Sequence, residues 1–286
     1  MNPYPVISKK LLIGCTLFVL VSLMIWQLSH YVFFMPKIVF CDVGQGDSAL
    51  MQVSRTFDIL IDAGPGRKVL DCLNKHIPYF DRTIELVIIT HPDFDHFGGM
   101  LHVLPMYKVN TIAMPPIHRD IESFQKMQQL ILSSNTTIVH FYFGDTVTVD
   151  SAILDFYWPP QELFQLNPET NSSSASSMQP NDLSIVFLLS YNNERILFTG
   201  DLHVDYLENI TQHIGKITTL KVSHHGAKNG LSEQIVDHLK PNKAVISVGE
   251  KNSYGHPHTN VLEILKSRHV DLYRTDHDGS IIFNLD

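Results

Sequence analysis

The sequence Thr90-His91-Pro92-Asp93-Phe94-Asp95-His96-Phe97-Gly98-Gly99 places four potential metal ligands within six residues. It continues the apolar run Glu85–Thr90, which is typical of a buried strand. Imidazole and carboxylate groups are common ligands of divalent cations. The alternative is a solvated polar turn at a strand end, but such turns usually carry isolated His or Asp residues. The sequence therefore predicts a metal site, and its candidate ligands here are His91, Asp93, Asp95 and His96.

Further acidic and histidine residues follow other predicted strands. Asp201 ends the apolar run Ile196–Asp201, and a histidine pair follows Leu220–Ser223. Active-site residues often lie in loops at strand ends, so these positions favour one convergent site. Each residue alone is weak evidence, since exposed His and Asp residues are common there. The candidates outside the first loop are Asp182, Asp201, His224, His225 and His256.

The chain from Lys37 onward alternates short β runs with helical segments. Each half predicts a mixed sheet covered by helices on one face, which favours two sheets packed together between helical layers. The Ser-rich stretch Asn167–Asn181 is interpreted as a mobile surface loop, with a domain linker as the alternative. Because candidate ligands fall on both sides of it, we predict one α/β domain over residues 37–286.

The N-terminal region has no charged side chain between Lys10 and Lys37. Leu11–Leu28 spans about 27 Å as a helix, and the uncharged flank that follows supplies the rest of a hydrocarbon core about 30 Å thick. Trp26 and Tyr31 fall where interfacial aromatic residues are expected.

A buried core helix and a cleaved signal peptide are the other interpretations of this segment. Its uniform apolarity argues against a core helix, and Ser29–Phe33 offers no good cleavage site. We predict an uncleaved single-pass anchor over residues 1–36. With Lys9-Lys10 in the cytoplasm, the rest of the chain would lie outside the cytoplasmic membrane.

Composition narrows the class of protein. The 286 residues are 44% hydrophobic and 17% charged, which indicates a globular chain rather than a disordered one. The net charge of −8 argues against general coating of nucleic acid by a basic surface. The cysteines form no CxxC motif, which excludes a disulfide scaffold, a zinc ribbon and an iron–sulfur site. They are Cys15, Cys41 and Cys72.

Three motifs in chain order resemble the metallo-β-lactamase superfamily of binuclear hydrolases: HPDFDH (91–96), LFTGD (197–201) and VSHHG (222–226). Other segments are similar to the C-terminal domain of ComEC-type competence proteins. The resemblance covers about residues 38–284 and implies a four-layer αββα fold, here preceded by the predicted transmembrane helix. The segments are DVGQGDS (42–48), LIDAG (60–64), Asn181-Asp182, SVGEKNSYGHP (247–257) and RTDHDGSI (274–281).

The resemblance implies two metal sites bridged by one aspartate. Nitrogen and carboxylate ligands suit Zn²⁺, and a carboxylate-rich pair of sites also admits Mn²⁺ or Fe²⁺. Which histidine of the HHG pair is a ligand stays open, and the other would face the substrate. The implied ligands are His91, Asp93 and Asp182 at one metal, Asp95, His96 and either His224 or His225 at the other, and Asp201 as the bridge.

The motifs depart from the superfamily pattern at two ligand positions. Asp93 stands where a histidine is usual, and Asp182 replaces the usual third-motif histidine. Both replacements are typical of the ComEC-like branch. Ala227 replaces the serine of the family's HHGS. ComEC-type proteins also carry a polytopic channel and an oligonucleotide-binding domain, so we do not expect this chain to act as the DNA-translocating channel.

These features predict a binuclear phosphodiesterase or nuclease. The two cations would activate a water for in-line attack on phosphorus. His256, or the unligated member of the His224-His225 pair, would protonate the leaving group or hold a phosphate oxygen. Asp47 and Asp62 are expected to orient ligands.

The substrate is left open. Single-stranded DNA is the substrate that the family suggests. The basic residues of the C-terminal half, Lys221 among them, would offset the acidic charge toward it if they share one face, and a solvated periphery is the alternative. A cell-envelope phosphodiester is the alternative substrate. A non-catalytic membrane-tethered scaffold is the alternative to an enzyme, and the complete set of ligand candidates argues against it. The Asp-for-His replacements also favour phosphoesters over β-lactams, thioesters or lactones.

Overall fold

A computed structural model describes residues 8–32, 34–167 and 172–285. The chain divides into two units, Met1–Met35 and Pro36–Asp286. The first unit contains helix α1, Lys9–Val32. Across the described parts of the chain, no helix combines the length and the apolar character needed to cross a membrane. The membrane span stays a prediction. The structure does not describe the side chains of Trp26 and Tyr31.

The second unit is built from short strands and helices. The strands are β1 (Lys37–Phe40), β2 (Ser48–Ser54), β3 (Phe57–Ala63), β4 (Thr83–Ile88), β5 (Lys108–Ala113), β6 (Thr137–Val139), β7 (Thr146–Val149), β8 (Ala152–Trp158), β9 (Leu166–Asn167), β10 (Ser172–Ser173), β11 (Val186–Tyr191), β12 (Glu194–Phe198), β13 (Thr219–Lys221), β14 (Lys243–Ile246), β15 (Asp271–Arg274) and β16 (Ile281–Asn284). The helices are α2 (Lys68–His76), α3 (Phe94–Phe97), α4 (Met100–Val103), α5 (Glu122–Leu132), α6 (Val204–Thr211), α7 (Glu233–Leu239), α8 (Thr259–Ser267) and α9 (Thr275–Asp278).

Two mixed sheets form the centre of this unit. The first has the order β16-β1-β2-β3-β4-β5-β6 and is parallel from β3 to β6. The second has the order β15-β14-β13-β12-β11-β8-β7 and is parallel from β15 to β12. The sheets do not follow the two halves of the sequence, because β7 and β8 join the second sheet while β16 returns to pair with β1.

Alternating side chains within single strands define the layers. In β3, Ile59 and Ile61 pack between the sheets, whereas Leu60 packs with the helices outside the first sheet. In β12, Phe198 faces the other sheet and Leu197 faces the outer helices. Successive strand residues point to opposite faces, so strands covered on both sides must be apolar throughout. The arrangement confirms the predicted αββα layers.

The outer helices are amphipathic and cover the sheets. Leu73 of α2 and Phe124 of α5 are buried against the first sheet, and Leu207 of α6 is buried against the second. Ser232 is the N-cap of helix α7, and its hydroxyl accepts a hydrogen bond from the Ile235 N–H at 3.3 Å. This side-chain cap satisfies a donor that the first helical turn leaves unpaired.

Some features of this unit differ from the sequence predictions. Strand β5 was not predicted, because Asn110 and Thr111 interrupt its apolar pattern. The predicted mobile loop contains β9 and β10, and residues 168–171 of it lie outside the described ones. A disulfide bond that the spacing did not predict joins Cys41 and Cys72.

Asp58 is a buried carboxyl group in β3, far from the histidine-rich loops in the sequence. It is 4% exposed and accepts a hydrogen bond from Gln52 Nε2 at 3.1 Å. Burial raises the pKa of Asp58 to about 7, and the nearby carboxylates of Asp81 and Glu85 add to the rise. The folded protein therefore retains a proton that the unfolded chain releases, and Asp58 lowers stability increasingly as the pH rises from about 4 to about 7.

Substituting Asn for Asp58 is expected to stabilise the protein at pH 8 by about 1–3 kcal/mol, since the amide keeps the acceptor for Gln52 and removes the buried charge. The gain should vanish near pH 4, where the wild-type carboxyl is protonated in both states. Urea denaturation at several pH values measures it. Asp271→Asn, at an exposed aspartate, should show no such pH dependence. A D58N variant that is less stable than the wild type at pH 8 would contradict the assignment.

Candidate metal centre

The candidate ligands lie beyond the carboxyl ends of parallel strands in both sheets. The His91–His96 loop follows β4, Asp201 follows β12, and His224 and His225 follow β13. His256 lies in the loop after β14. The two sheets bring these loops together at one edge of the αββα sandwich.

Four ligands form one compact group: Asp95, His96, Asp201 and His225. Their ligating atoms all lie within 4.8 Å of one another. His96 Nε2 is 3.3 Å from Asp201 Oδ1, and His225 Nε2 is 3.1 Å from Asp95 Oδ2. This group contains the residues that the resemblance implies for one metal together with the bridging aspartate, and of the HHG pair it includes His225.

His91 and Asp93 lie beside this group. His91 Nε2 is 3.8 Å from Asp93 Oδ2 and 3.8 Å from Asp201 Oδ2. His224 Nε2 is also 3.8 Å from Asp201 Oδ2, with its side chain one-third exposed. Asp201 therefore belongs to the compact group and also adjoins a second set of imidazole and carboxylate groups.

Asp182 is placed differently from the other candidates. Its backbone carbonyl accepts a hydrogen bond from Trp158 Nε1 at 2.8 Å. Burial raises the pKa of its carboxyl group, and the groups that interact with it are His203 and Asp205 rather than the cluster. Its assignment as a metal ligand stays a prediction.

Asp62 fixes the orientation of His96. Its Oδ2 lies 2.8 Å from His96 Nδ1 and accepts a hydrogen bond from the Thr90 hydroxyl, while its Oδ1 accepts one from the Thr90 N–H. These contacts direct His96 Nε2 toward Asp201. A carboxylate behind a ligating histidine sets its tautomer and raises its basicity, which is the role predicted for Asp62.

Asp47 lies behind His225 as its ion-pair partner, while the hydrogen bond of His225 Nδ1 goes to the Ser247 carbonyl. His225 Nδ1 lies 3.1 Å from Asp47 Oδ1 and 3.0 Å from the Ser247 carbonyl. The other carboxylate oxygen of Asp47 accepts a hydrogen bond from Lys221 Nζ at 2.6 Å. Lys221 is only 3% exposed, so it belongs neither to a basic face for DNA nor to a solvated periphery.

Gly46 allows the loop before β2 to approach the ligand loop. The Asp47 N–H donates to the Asp95 carbonyl at 3.2 Å, and a Cβ at Gly46 would collide with that same carbonyl oxygen. Gly46 also has a φ of +141°, a backbone angle that residues with a Cβ rarely adopt. This contact explains why the DVGQGDS segment has glycine here.

The HHG segment has an unusual backbone. His224 and His225 have φ values of 51° and 53°, in the left-handed region that residues with a Cβ seldom occupy. Hydrogen bonds hold the turn: the His224 N–H donates to the Gly200 carbonyl, and the Ala227 N–H donates to the His224 carbonyl. Strain of this kind persists where surrounding contacts enforce it, and it is common at functional sites.

Arg119 is a residue that sequence reasoning missed. Its guanidinium Nη2 lies 3.2 Å from Asp93 Oδ1, and both side chains are about one-third exposed. Replacing the usual neutral histidine by Asp93 adds a negative charge, which calls for a nearby cation. The sequence does not reveal the partner, because Arg119 follows a strand that was itself not predicted.

The cluster carries an excess of negative charge. Among the residues that the structure describes, the five carboxylates of this cluster pair with two permanent cations, Lys221 and Arg119. The carboxylates are those of Asp47, Asp62, Asp93, Asp95 and Asp201. Although burial lowers the pKa of His225, the carboxylates of Asp201 and Asp47 outweigh it and raise that pKa to about 10. His91 differs, since burial and then His96 lower its pKa to about 3.

Buried atoms without partners show that the cluster fits divalent cations. Within the described residues, His91 Nε2, His96 Nε2 and Asp201 Oδ1 are buried and have no hydrogen-bond partner. An unpaired buried polar atom is unfavourable, and these three point into a carboxylate-rich cluster. A cation bound there would satisfy them and balance the excess charge. The donor set of imidazole nitrogens and carboxylate oxygens suits Zn²⁺ or Mn²⁺.

Comparison with known proteins agrees with this geometry. The metallo-beta-lactamase superfamily model matches residues 41–250, so the chain belongs to this superfamily. The chain is 28% identical over 266 residues to ComE operon protein 3 of Bacillus subtilis (strain 168), covering 84% of this chain and 32% of that protein. It is 27% identical over 247 residues to Recombination protein 2 of Haemophilus influenzae, covering 85% of this chain and 28% of that protein.

The chain thus spans about a third of the length of these relatives. Among solved structures, YhfI from Bacillus subtilis, a metallo-beta-lactamase fold protein, has a TM-score of 0.56 at 15% identity. The alignment covers 87% of this chain and 99% of YhfI, and it supports the fold alone. The protein is a member of the metallo-beta-lactamase superfamily that is related to competence proteins.

Proposed function

We propose that this protein is a metal-dependent phosphodiesterase that hydrolyses DNA outside the cytoplasmic membrane. The observation that carries the proposal is the convergence of Asp95, His96, Asp201 and His225 within 4.8 Å. The relation to competence proteins supports DNA as the substrate. Zn²⁺ is the proposed cation, with Mn²⁺ as the alternative.

The roles of the residues follow from their contacts. A divalent cation bound by the cluster would supply Lewis-acid stabilisation of a phosphodiester and would activate water for its hydrolysis. Asp62 and Asp47 hold His96 and His225 in place, and Arg119 neutralises Asp93. This support keeps the ligands aligned before substrate arrives, so little reorganisation is needed during the reaction.

His224 and His256 are proposed to act on the substrate. The His224 side chain is one-third exposed, and its ring lies 5.7 Å from that of His256. Burial and the neighbouring His225 lower the pKa of His256, which favours its neutral form at physiological pH. Because its side chain is partly exposed beside Asp201, His224 is assigned to hold a phosphate oxygen or to protonate the leaving group.

The proposed location rests on the disulfide and on the predicted anchor. Disulfide bonds persist in oxidising compartments and are rare in the cytoplasm of mesophiles, so the Cys41–Cys72 bond favours an extracytoplasmic hydrolase unit. Protease added to spheroplasts that express the chain should then digest this unit. Full protection without detergent would contradict the proposed location.

The proposed activity is tested with the full chain, purified without chelator. We expect Zn²⁺- or Mn²⁺-dependent hydrolysis of both bis(p-nitrophenyl) phosphate and labelled single-stranded DNA, lost in EDTA and restored by metal. Hydrolysis of the small ester without DNA cleavage would instead favour an envelope phosphodiester. A metal-loaded protein that hydrolyses neither would overturn the proposal, and a protein that binds no metal would favour a scaffold.

A further inference from the structure

A row of aromatic rings leads from the protein surface to the metal cluster. Tyr254 is 70% exposed, and its ring stacks on His256 with a centroid distance of 5.7 Å and an interplanar angle of 26°. The His256 ring stacks in turn on His225, at 6.4 Å and 29°. His225 is the ligand that contacts Asp95. The outer face of Tyr254 is thus two ring spacings from a metal ligand.

The loop that carries Tyr254 is held rigidly. The Asn252 side chain donates to the carbonyls of Gly249 and His256, and its Oδ1 accepts the His256 N–H at 3.0 Å. The Gly249 N–H donates to Gln45 Oε1, which ties the loop to the first sheet. Tyr254 is therefore exposed without being loosely placed, and a ligand that stacks on it need not order the loop first.

An exposed tyrosine ring beside the metal cluster favours a ligand that carries an aromatic group next to a phosphodiester. A flat ring next to a phosphate-processing centre matches a nucleobase, which offers a π-face whatever its sequence. A glycerol-phosphate polymer has no ring to stack and gains little from Tyr254, and a sugar ring has no π-face to offer it. Lys251, exposed on the same loop, adds a positive charge suited to a neighbouring phosphate.

We propose that Tyr254 binds the base of an unpaired nucleotide next to the phosphodiester that is cleaved, so that base-bearing single strands are preferred over other phosphodiesters. This inference rests on the proposed function. A base within a duplex is stacked between its neighbours and cannot lie on Tyr254, so the preference is for an unpaired strand. The hydroxyl of Tyr254 has no part in the stacking, and a phenylalanine would serve equally.

The test compares two oligonucleotides of equal length and charge, one of thymidine residues and one of abasic tetrahydrofuran residues. For the metal-loaded full chain, we expect kcat/KM to be about 5- to 150-fold higher with the thymidine strand, the range expected for one base–aromatic stack. Tyr254→Ala should reduce this ratio to near one, mainly through KM. Tyr254→Phe should preserve the ratio.

Tyr79→Ala is the matched control, because Tyr79 is 87% exposed and lies between α2 and β4, away from the ligand loops. It should leave the ratio at the wild-type value. A Tyr254→Ala variant that slows both substrates equally would show only a structural role and would overturn the inference. So would a wild-type protein that hydrolyses both strands at equal rates. A wild-type protein that hydrolyses neither strand with either metal would instead refute the proposed function.

Discussion

Asp201→Asn is expected to reduce metal-dependent hydrolysis of bis(p-nitrophenyl) phosphate by about a thousandfold, because several kcal/mol of charge stabilisation would depend on the cation that Asp201 is proposed to hold. Its carboxylate lies 3.3 Å from His96 Nε2 and 3.8 Å from both His91 Nε2 and His224 Nε2. The amide keeps the shape of the side chain but removes the charge shared by these groups. Steady-state kinetics and metal analysis by mass spectrometry measure the effect.

Asp205→Asn provides the control, since it makes the same chemical change four residues later on an exposed side chain. It should retain wild-type metal content and activity. Circular dichroism of both variants shows whether a loss of activity comes from the metal site or from unfolding of the protein. If Asp201→Asn bound two metal ions and kept more than about a tenth of the activity, Asp201 would not be the bridging ligand.

Lys221→Met is expected to lower the free energy of unfolding by about 3 kcal/mol. Lys221 and Asp47 are both buried, and their ion pair joins β13 in the second sheet to the loop before β2. Without the lysine, His225 is the remaining charged neighbour of the Asp47 carboxylate. Breaking a buried ion pair leaves the desolvation cost of the remaining charge uncompensated. Urea denaturation of the metal-free protein at pH 7 measures the loss.

A double substitution distinguishes the ion pair from simple packing. Asp47→Asn in the Lys221→Met background should recover part of the stability, because no unpaired buried charge then remains. Lys216→Met, at an exposed lysine, should change stability by no more than about 0.5 kcal/mol. If the double variant were less stable than Lys221→Met alone, Asp47 would not be the source of the loss.

The layered fold was predictable because it depends on local apolar patterns. The run Ile196–Phe198 of β12 is apolar at every position, which requires cover on both faces, and helices such as α2 have one apolar face and one polar face. The membership of β7, β8 and β16 in their sheets was not predictable, since strand pairing depends on contacts distant in sequence. Strand β5 was missed because its polar residues hide the pattern.

The site was predictable where ligands cluster in the sequence or in motifs. The convergence of the His91–His96 loop with Asp201 and the HHG pair followed from the carboxyl ends of parallel strands. Arg119 and the burial of Lys221 were not predictable, because charge partners are chosen in three dimensions. The compact group includes His225 and leaves His224 beside it, and this placement depends on backbone geometry that the sequence HHG does not reveal.

The left-handed conformations of His224 and His225 have a consequence for engineering. A glycine would adopt these φ values without strain, so a stability-driven redesign would favour glycine at both positions. The chain instead keeps two imidazoles where its backbone is least suited to them. Replacing both residues by glycine would remove the His225 imidazole from the cluster and the His224 imidazole beside it. Thermostability and activity therefore conflict at this turn.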